Sequence, residues 1–506
     1  MTRTKTFARL IHAEWTKFRT VRGWVLGIVA AALATVVVGL LGTAAPGGSG
    51  PSGHATGFPT GPGGEAVNDS FYFVHRTLDG DGGITVPVVS LTGRTEDGRG
   101  RNTEGSAQPW AKAGIIVKQD LVQGSRYAAV MLTGGHGVRM QYDYTQDRAA
   151  PVATPGPAPR WLRLVRDGDT LTGSVSADGT HWNQVGTIRL AGLRGTVQAG
   201  LFAASPQARQ ETAVGVGFGP AVATGTFGRP VLQGTWSPTP WRGTQVGGDA
   251  GTSGSYSNGL KGGFTESGGT FTVTGAGDIA PVVGGPAMGP AYSLENFLVG
   301  GFAGLIVVIA VSTVFVTGEY RRALIRTTLA AHPARGRVLT AKALTMAATA
   351  FAAGLAAAAL VVPLGERGAE GRGFRVFPVD TATELRVTVG TALLFAATAV
   401  LALSLGALLR RAATTVAAVI ASMVLPYLLA TSAVLPAGAS DWLLRVTPAA
   451  GFAIQQTLPR YPQVLTVYEP STGYPPLAPW TGLTVLCAYA ALAFALAFTR
   501  LRRSDV

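Results

Sequence analysis

Six stretches of the sequence are long enough to cross a lipid bilayer and contain no charged residue. They are 23–45, 297–317, 343–363, 387–409, 412–436 and 481–499. A membrane-spanning helix needs about 20 mostly apolar residues, and each stretch approaches or exceeds that length. Only 13% of all residues are charged, which is about half the fraction in a typical soluble protein. The sequence therefore predicts an α-helical polytopic membrane protein with six transmembrane helices.

The first stretch also has features of a cleaved signal peptide, because Thr43-Ala44-Ala45 resembles a cleavage site. However, the basic segment 1–22 is long for a signal peptide, and the apolar run that follows exceeds the roughly 7–15 residues of a signal-peptide core. We therefore predict that 23–45 is retained as the first transmembrane helix.

Positive charge is distributed unevenly along the chain. The 41 Lys and Arg residues exceed the 27 Asp and Glu residues, giving a formal net charge of +14. Basic residues cluster in four segments that fall on one side of the predicted spans: 1–22, 318–342, 410–411 and 500–503. By the positive-inside rule these segments face the cytosol, so both termini are predicted to be cytosolic in a multi-pass plasma-membrane protein. The basic surplus then marks orientation, and we predict no nucleic-acid partner.

The segment between the first and second spans has a β pattern and is predicted to be extracellular. Short strands are expected at 84–91, 113–118, 126–132, 138–144 and 196–205. Within 161–190, the pairs Asp167-Gly168 and Asp178-Gly179 separate three alternating runs, which is typical of a β-meander with tight turns. Together these strands predict a sandwich of two antiparallel sheets. The Gly-rich passage 231–290 either adds strands to this body or forms a subsidiary β unit.

These patterns divide the chain into five regions. We predict a cytosolic amphipathic interface helix at 1–22, transmembrane helix 1 at 23–45, a Pro/Gly/Ser linker at 46–65, an extracellular β-sandwich with a Gly-rich extension at 66–293, and transmembrane helices 2–6 with a cytosolic coupling loop (318–342) at 294–506. The large all-β insert thus lies between helices 1 and 2.

Several kinds of chemistry lack their residues in this sequence. Cys487 is the only cysteine, and the six histidines show no metal-ligand spacing. A GxxxxGK[ST] phosphate-binding loop is absent. The insert has no clustered carboxylates of the kind that hydrolyse glycosides. We therefore predict that the chain is not an enzyme, with no catalytic residue, no metal site and no cofactor of its own.

The insert resembles a family of carbohydrate-associated β domains. The runs WAKAGIIVKQ (110–119), GSRYAAVMLTGGHGVRMQYDY (124–144) and SADGTHW (176–182) are similar to concanavalin-A/laminin-G-like jelly rolls. The resemblance implies glycan binding through aromatic and histidine side chains: Trp110, Tyr127, His136, Tyr142, Tyr144 and Trp182. The alternative is that these side chains fill or cap the sandwich.

The N-terminal segment 3–22 is predicted to form an amphipathic helix in the membrane interface. One face of this helix is apolar: Phe7, Leu10, Ile11, Trp15 and Phe18. Glu14 projects among these side chains, where a carboxylate needs a partner. Glu14 either snorkels to water or pairs with an arginine of 318–337.

Three further segments resemble ABC-2-type transporter permease subunits of the actinobacterial type. AEWTKFRTVRGW (13–24) is similar to their N-terminal interface helix, GEYRRALIRTTLAAHPARGRVLTAKA (318–343) to their first cytosolic loop, and TPAAGFAIQQT (447–457) to their re-entrant extracellular helices. This resemblance implies ATP-driven export, with ATP bound by a separate ATPase subunit. The long first extracellular segment departs from the family pattern, so the task of the insert is not implied by it.

The same resemblance implies where the partners bind. The residues expected to contact the ATPase subunit are Glu14, Lys17, Glu319, Tyr320, Arg321, Arg322 and Arg326. A homodimer or heterodimer of permease subunits in membrane lipid is implied, and cell-wall glycan is a candidate partner of the insert. The alternative function is a membrane-anchored carbohydrate-binding or sensing protein without transport activity. An anchor needs only one or two spans, so six spans favour the transporter.

Overall fold

The computed structural model of the protein describes residues 2–44, 58–96, 102–105, 107–151, 160–212, 215–247, 260, 262–283, 291–321, 334–372, 374–432, 434–464 and 468–503. The chain divides into two compact units. One comprises Met1–Ser49, Gly284–Leu458 and Val467–Val506, and the other comprises Gly50–Val283 and Pro459–Thr466. We call them the helical unit and the β unit.

The helical unit contains α-helices from both ends of the chain. They are α1 (Thr2–Thr20), α2 (Arg22–Ala44), α3 (Leu294–Leu298), α4 (Gly301–Arg321), α5 (Arg335–Glu370), α6 (Thr381–Leu409), α7 (Ala412–Thr431), α8 (Ala437–Val446) and α9 (Pro479–Arg503). Two 3-10 helices lie at Pro448–Gln455 and Pro470–Thr472. A short parallel pair joins β20 (Ala291–Tyr292) to β21 (Arg375–Val376).

Six helical segments of the described chain are long and apolar enough to cross a membrane. They are Arg22–Leu41, Leu294–Tyr320, Arg335–Glu370, Thr381–Leu409, Ala412–Thr431 and Pro479–Arg503. The prediction of six apolar helices of spanning length is confirmed.

Several of these helices extend beyond the uncharged stretches that predict them. The third begins at Arg335 and continues to Glu370, whereas the uncharged stretch covers 343–363. The fourth begins at Thr381, where the Asp380 side chain caps it by accepting a hydrogen bond from Thr383 N at 3.2 Å. Backbone hydrogen bonding does not depend on hydropathy, so charged residues at the ends of a span remain helical.

The core of the helical unit is formed by close packing of the long helices. Leu305, Met346 and Phe395, from α4, α5 and α6, are all fully buried in one apolar cluster. At Gly304 of α4, an added Cβ would lie 2.8 Å from Ala31 O of α2 and 3.0 Å from the Phe395 ring. Glycine at this position therefore lets α4 approach two neighbouring helices closely.

The β unit is formed by strands that follow α2 and precede α3 in the chain. They are β1 (Val67–Asp69), β2 (Phe71–Glu96), β3 (Asn102–Gly105), β4 (Lys112–Lys118), β5 (Tyr127–Thr133), β6 (Val138–Tyr142), β7 (Gln146–Ala149), β8 (Arg160–Asp167), β9 (Thr170–Ser176), β10 (Trp182–Arg189), β11 (Thr196–Ala204), β12 (Ala208–Thr212), β13 (Gly215–Gly219), β14 (Ala221–Phe227), β15 (Val231–Trp236), β16 (Arg242–Val246), β17 (Gly263–Ser267), β18 (Thr270–Gly275) and β19 (Ile279–Pro281).

The long strand β2 organises the main sheet of this unit. Along its length it pairs antiparallel with β16 and β11, then with β15 and β8, and finally with β14 and β3. From β2 the sheet continues through β11, β4, β5 and β6 to β7 in one direction and through β8 and β9 to β10 in the other. The chain therefore contains a large antiparallel β region beside its six apolar helices.

The expected meander of 161–190 is confirmed. Strands β8, β9 and β10 pair antiparallel in sequence order, and the glycines of both Asp-Gly turns have positive φ, 58° at Gly168 and 78° at Gly179. The Gly-rich passage joins the same body, because β15 and β16 pair with β2, and β18 pairs with β14.

Each face of the main sheet carries an apolar core. One core contains Val74, Ile84 and Leu164. The other contains Phe71, Phe73 and Phe202, together with residues of β1 and β19. Strands β1 and β19 pair only with each other among the described strands. They pack on the part of the second face that contains Phe71, Phe73 and Phe202.

Candidate functional site

One side of the N-terminal helix α1 is buried against other helices of the helical unit. Leu10, Glu14 and Phe18, spaced four residues apart, are 7%, 2% and 3% exposed, so they form one line along the helix. Phe7 and Ile11 pack at the edge of this line, whereas Trp15 is 42% exposed. The predicted amphipathic helix is therefore present, with a carboxylate in the middle of its buried side.

Four charged side chains from three helices form an ion-pair network around Glu14. The Lys342 ammonium of α5 donates to Glu14 Oε2 at 2.7 Å and to Glu319 Oε1 of α4 at 2.7 Å. The Lys17 ammonium donates to Glu319 Oε1 at 2.6 Å and to Glu14 Oε1 at 3.3 Å. The network contains two carboxylates and two ammonium groups, so the set is formally neutral.

The four side chains of this network differ in exposure, and their burial determines the free-energy cost of breaking the ion pairs. Glu14 and Lys342 are each 2% exposed and Glu319 is 5% exposed, whereas the Lys17 side chain is 36% exposed. Buried charges are stable only when paired, and removing one partner of a buried pair costs about 3–5 kcal/mol. Separating α1 from α4 and α5 would therefore break the Lys342–Glu14 and Lys17–Glu319 ion pairs, and each side would keep one carboxylate and one ammonium group.

The two carboxylates shift the pKa of Lys17, the exposed member of the network. Burial lowers the pKa of the Lys17 ammonium, but the hydrogen bond to Glu319 and the charge of Glu14 outweigh burial and raise the pKa above its usual value. Lys17 therefore stays charged across the physiological pH range. Lys342 also lies 5.0 Å from the centre of the Phe315 ring, within the range of a cation–π interaction.

Within the described residues Glu14 is paired with lysines, whereas the side chains of Arg321, Arg322 and Arg326 lie outside them. The partners of Glu14 are the lysines Lys17 and Lys342, and Glu14 does not snorkel. Lys342 follows Val338 and Leu339 on the buried face of α5 and precedes Met346. This helical spacing of apolar residues around a lysine is the signal that could have identified Lys342 from the sequence.

Only some of the residues expected to contact an ATPase subunit come together. Glu14, Lys17 and Glu319 belong to the network. Tyr320 packs against Leu10 and Val338 beside the network, with the Arg410 guanidinium 5.2 Å from its ring centre. Arg321 is the last residue of α4, but its side chain, Arg322 and Arg326 lie outside the described residues.

The six candidate glycan-binding side chains are not arranged as one exposed face. Trp110, Tyr127 and Tyr144 are 4%, 1% and 0% exposed. His136 is exposed and stacks on Trp110, with ring centres 4.0 Å apart. Burial, followed by the neighbouring charge of Arg139, lowers the pKa of His136.

Tyr142 and Trp182 are half-buried, and each lies beside an arginine. The Arg148 guanidinium is 5.7 Å from the centre of the Tyr142 ring, and the Arg163 guanidinium is 3.8 Å from that of Trp182. These two rings and His136 are therefore the candidates that a ligand can reach.

Two buried lysines of β4 form a polar site that we did not predict. Lys112 Nζ donates to Asp278 Oδ1 at 2.6 Å, and Lys118 Nζ donates to Asp69 Oδ2 at 2.8 Å. Both lysines are 0% exposed. Because Asp69 belongs to β1 and Asp278 directly precedes β19, the two ion pairs fasten the β1–β19 pair to the main sheet.

Tyr144 completes the second of these ion pairs. Its hydroxyl donates to Asp69 Oδ2 at 2.8 Å and lies 3.2 Å from Lys118 Nζ. Burial, together with the charge of Asp69, raises the pKa of Tyr144 well above its usual value. Its backbone carbonyl accepts a hydrogen bond from Gln463 Nε2 at 3.0 Å. Tyr144 therefore has a structural role in the buried side of the β unit.

No group of three or more His, Cys, Asp or Glu residues within the described parts of the chain could hold a metal ion. The network around Glu14 and the buried site on β4 instead consist of lysine–carboxylate pairs. Such pairs can join elements of the fold and resist their separation.

Comparisons with known proteins do not assign the chain to a family. No family model and no curated protein matches it. Among solved structures, it is similar to a functionally unknown protein from Saccharomyces cerevisiae, with 14% sequence identity, a TM-score of 0.19, and coverage of 38% of this chain and 83% of that one. At that TM-score the similarity carries no argument about fold or function.

Proposed function

We propose that this chain is the membrane-spanning permease subunit of an ABC-2-type ATP-driven exporter. The observation that carries the proposal is the Glu14–Lys17–Glu319–Lys342 network, which joins a peripheral amphipathic helix to the adjoining ends of two candidate spans. A permease without its own ATP site needs a firm connection of this kind, because movement of a separate ATPase subunit must be transmitted to the helices of the permease.

The burial of the network assigns different roles to its members. Glu14, Glu319 and Lys342 are buried, so they transmit force between helices and do not contact a partner directly. The exposed surface around Lys17 contacts the ATPase subunit. The role of these residues is mechanical coupling, without bond-making chemistry.

The proposal includes a topology and an assembly. Both termini and loop 318–342 lie in the cytosol of a plasma-membrane protein, and 66–293 lies outside the cell as an insert between the first two spans. ATP binds the partner subunit, and two permease subunits, identical or different, form the pathway. The distribution of Lys and Arg supports this orientation.

We assign the β unit to the concanavalin-A/laminin-G-like jelly rolls and propose that it binds a cell-wall glycan or a partner outside the cell. The support comes from Trp182 and Tyr142, which are half-buried aromatic rings next to arginine side chains. The Arg163 guanidinium lies over one face of the Trp182 ring, so a sugar ring would stack on the opposite face.

Purification of the full chain from its native membrane in nanodiscs tests the exporter proposal. We expect a P-loop ATPase to co-purify, and its ATP turnover to rise several-fold when this chain is present. Lys342→Met should retain the ATPase but lose most of the stimulation, whereas Arg126→Met in the β unit should leave stimulation unchanged. Isolation without any ATPase would contradict the proposal.

The alternative function is a membrane-anchored carbohydrate-binding or sensing protein without transport activity, which the accessible ring of Trp182 favours. The full chain in nanodiscs can be applied to a glycan array, with Trp182→Ala as the altered variant and Trp236→Ala as the matched tryptophan control. Glycan binding that depends on Trp182, together with absence of an ATPase partner, would support this alternative.

A further inference from the structure

A cavity lies in the helical unit at the end opposite the ion-pair network. Phe302 lines it at the start of α4, and Glu319 lies near the end of the same helix, about 26 Å away at 1.5 Å per residue. The cavity volume is about 310 Å³, at the lower end of the range for small-molecule sites. Residues of α3, α4, α7 and the 3-10 helix Pro448–Gln455 contribute to its lining.

Three aromatic rings form one wall of this cavity. The ring centre of Phe302 lies 4.8 Å from that of Tyr427 and 4.5 Å from that of Phe452. Tyr427 and Phe452 are 4.8 Å apart. The rings therefore contact one another pairwise, and they present an apolar surface suited to another ring.

One polar group in the lining has no hydrogen-bond partner in the part of the chain that the structure describes. Gln456 is 7% exposed, and its buried Nε2 has no hydrogen-bond partner among the described residues. The neighbouring polar groups are satisfied, because Gln455 Nε2 donates to Thr391 Oγ1 at 3.1 Å and Thr457 Oγ1 donates to Glu295 Oε2 at 2.7 Å. Leaving a buried amide N–H unpaired is unfavourable, so Gln456 requires an acceptor from outside the fold.

The backbone around Gln456 is held in place by a span. Arg386 of α6 donates to Ile454 O at 3.0 Å and to Gln456 O at 2.6 Å. Both carbonyls belong to the end of the 3-10 segment, so the free amide is positioned before any ligand arrives. A prepositioned donor avoids part of the ordering cost of binding.

We infer that this cavity binds a small amphipathic molecule that carries an aromatic ring and a carbonyl oxygen. The ring packs on the Phe302–Tyr427–Phe452 wall, and the oxygen accepts a hydrogen bond from Gln456 Nε2. This inference goes beyond the proposed export function and does not depend on an ATPase partner. An experiment can therefore contradict ligand binding without contradicting export, and the reverse.

Benzophenone is a suitable probe, because it has two rings and a carbonyl and couples to nearby C–H bonds when irradiated. The full chain in nanodiscs, without an ATPase, would be irradiated at increasing benzophenone concentrations and its peptides analysed by mass spectrometry. We expect saturable labelling of peptides containing Phe302, Tyr427 or Phe452. Leu492 and Leu496 on the surface of α9, which are 58% and 51% exposed, should show labelling that rises without saturation.

Two comparisons test the hydrogen bond. Gln456→Leu should raise the half-saturating concentration about five- to tenfold. Thr431→Val is the matched control and should not change it, because Thr431 also lines the cavity but its hydroxyl is bonded to Tyr427 O at 2.9 Å. Diphenylmethane has the same two rings without the carbonyl. The concentration of diphenylmethane that halves the labelling should be about five to ten times the half-saturating concentration of benzophenone.

The competition experiment uses the unaltered chain, so it holds even if Gln456→Leu fails to fold. Labelling at the aromatic wall that never saturates would overturn the inference. So would equal binding of diphenylmethane and benzophenone, because a cavity occupied only by water or lipid chains gives no preference for the carbonyl.

Discussion

Lys342 Nζ lies 2.7 Å from Glu14 Oε2, joining two helices across 328 residues of sequence. The same ammonium group lies 2.7 Å from Glu319 Oε1. A single buried cation therefore holds together the N-terminal helix and the adjoining ends of two candidate spans. Because the three side chains are nearly inaccessible to water, their attraction is little screened by salt.

Replacement of Lys342 by Met should destabilise the helical unit strongly. The substitution leaves Glu14 and Glu319 buried with only Lys17 to neutralise them, and we expect a loss of about 3–5 kcal/mol in the free energy of unfolding. Lys17→Met is the matched control and should cost less, because Lys17 is partly exposed and water can replace part of its contact with the carboxylates. Thermal unfolding of the full chain in nanodiscs measures both, and equal effects would contradict the prediction.

Lys118→Met should destabilise the β unit, because Asp69 would remain buried without its cation. The expected loss in the free energy of unfolding is about 3–5 kcal/mol. The control is Arg126→Met, which removes a partly exposed ion pair with Asp143 and should cost about 1 kcal/mol or less. Hydrogen exchange of β1, β4 and β19 peptides in the full chain reports the effect. Unchanged protection of β1 and β19 would show that the ion pair does not fasten them.

Replacing each of two glycines of α4 by alanine should change stability in opposite directions. At Gly304 the new methyl group would lie 2.8 Å from Ala31 O, so Gly304→Ala should cost about 1–3 kcal/mol through overpacking. At Gly318 a Cβ meets no atom within 4 Å among the described residues, so Gly318→Ala should stabilise the helix by about 0.5–1 kcal/mol. Thermal unfolding in nanodiscs distinguishes the two, and a stabilising Gly304→Ala would show that α2 and α4 are not closely packed.

His75 should make the β unit less stable in mild acid. Its ring nitrogens bond to Gln198 Oε1 at 2.7 Å and Thr244 Oγ1 at 3.0 Å. Burial, followed by the charge of Arg242, lowers the pKa of His75 below its usual value of 6.5. Between the lowered pKa and 6.5 the unfolded chain binds more protons than the folded chain, so stability falls as the pH falls through this interval.

The measurement is hydrogen exchange of β2 and β16 peptides in the full chain at pH 7.5 and pH 5.5, corrected for the intrinsic exchange rate. His75→Asn, which keeps a polar side chain without a titrating ring, should lose most of the pH dependence. His181→Asn is the control, because His181 is exposed and its hydrogen bond to Asp178 raises its pKa. Equal pH dependence in the unaltered chain and His75→Asn would show that another group is responsible.

The local elements were largely predictable because their signals lie within short windows of sequence. Asp167-Gly168 and Asp178-Gly179 set the turns of the β8–β10 meander, since a glycine accepts the positive φ required there. The ends of the helices were less predictable. Arg386 lies outside the uncharged stretch 387–409 but inside α6. Its guanidinium bonds to the carbonyls of a segment far away in sequence, which hydropathy over a short window does not detect.

The candidate sites were less predictable than the elements that carry them. Strand β4 places Lys112 and Lys118 on the same side of the main sheet, and lysines in such a pattern usually face water. Here β1 and β19 cover that side and supply Asp69 and Asp278. Similarly, Trp110 and Tyr144 lie in turns, and their burial depends on which segments pack over them.

The sequence by itself determined that the chain forms six apolar helices of spanning length and an antiparallel β region with tight Asp-Gly turns. Hydropathy and turn propensity act over a few residues, so these features need no knowledge of distant segments. Only the tertiary structure decided that Lys17 and Lys342 neutralise Glu14, that β1 and β19 bury two lysines, and that Gln456 lines an aromatic cavity. Each of these depends on which elements pack side by side, because a buried charge or amide is stabilised only by the groups that surround it.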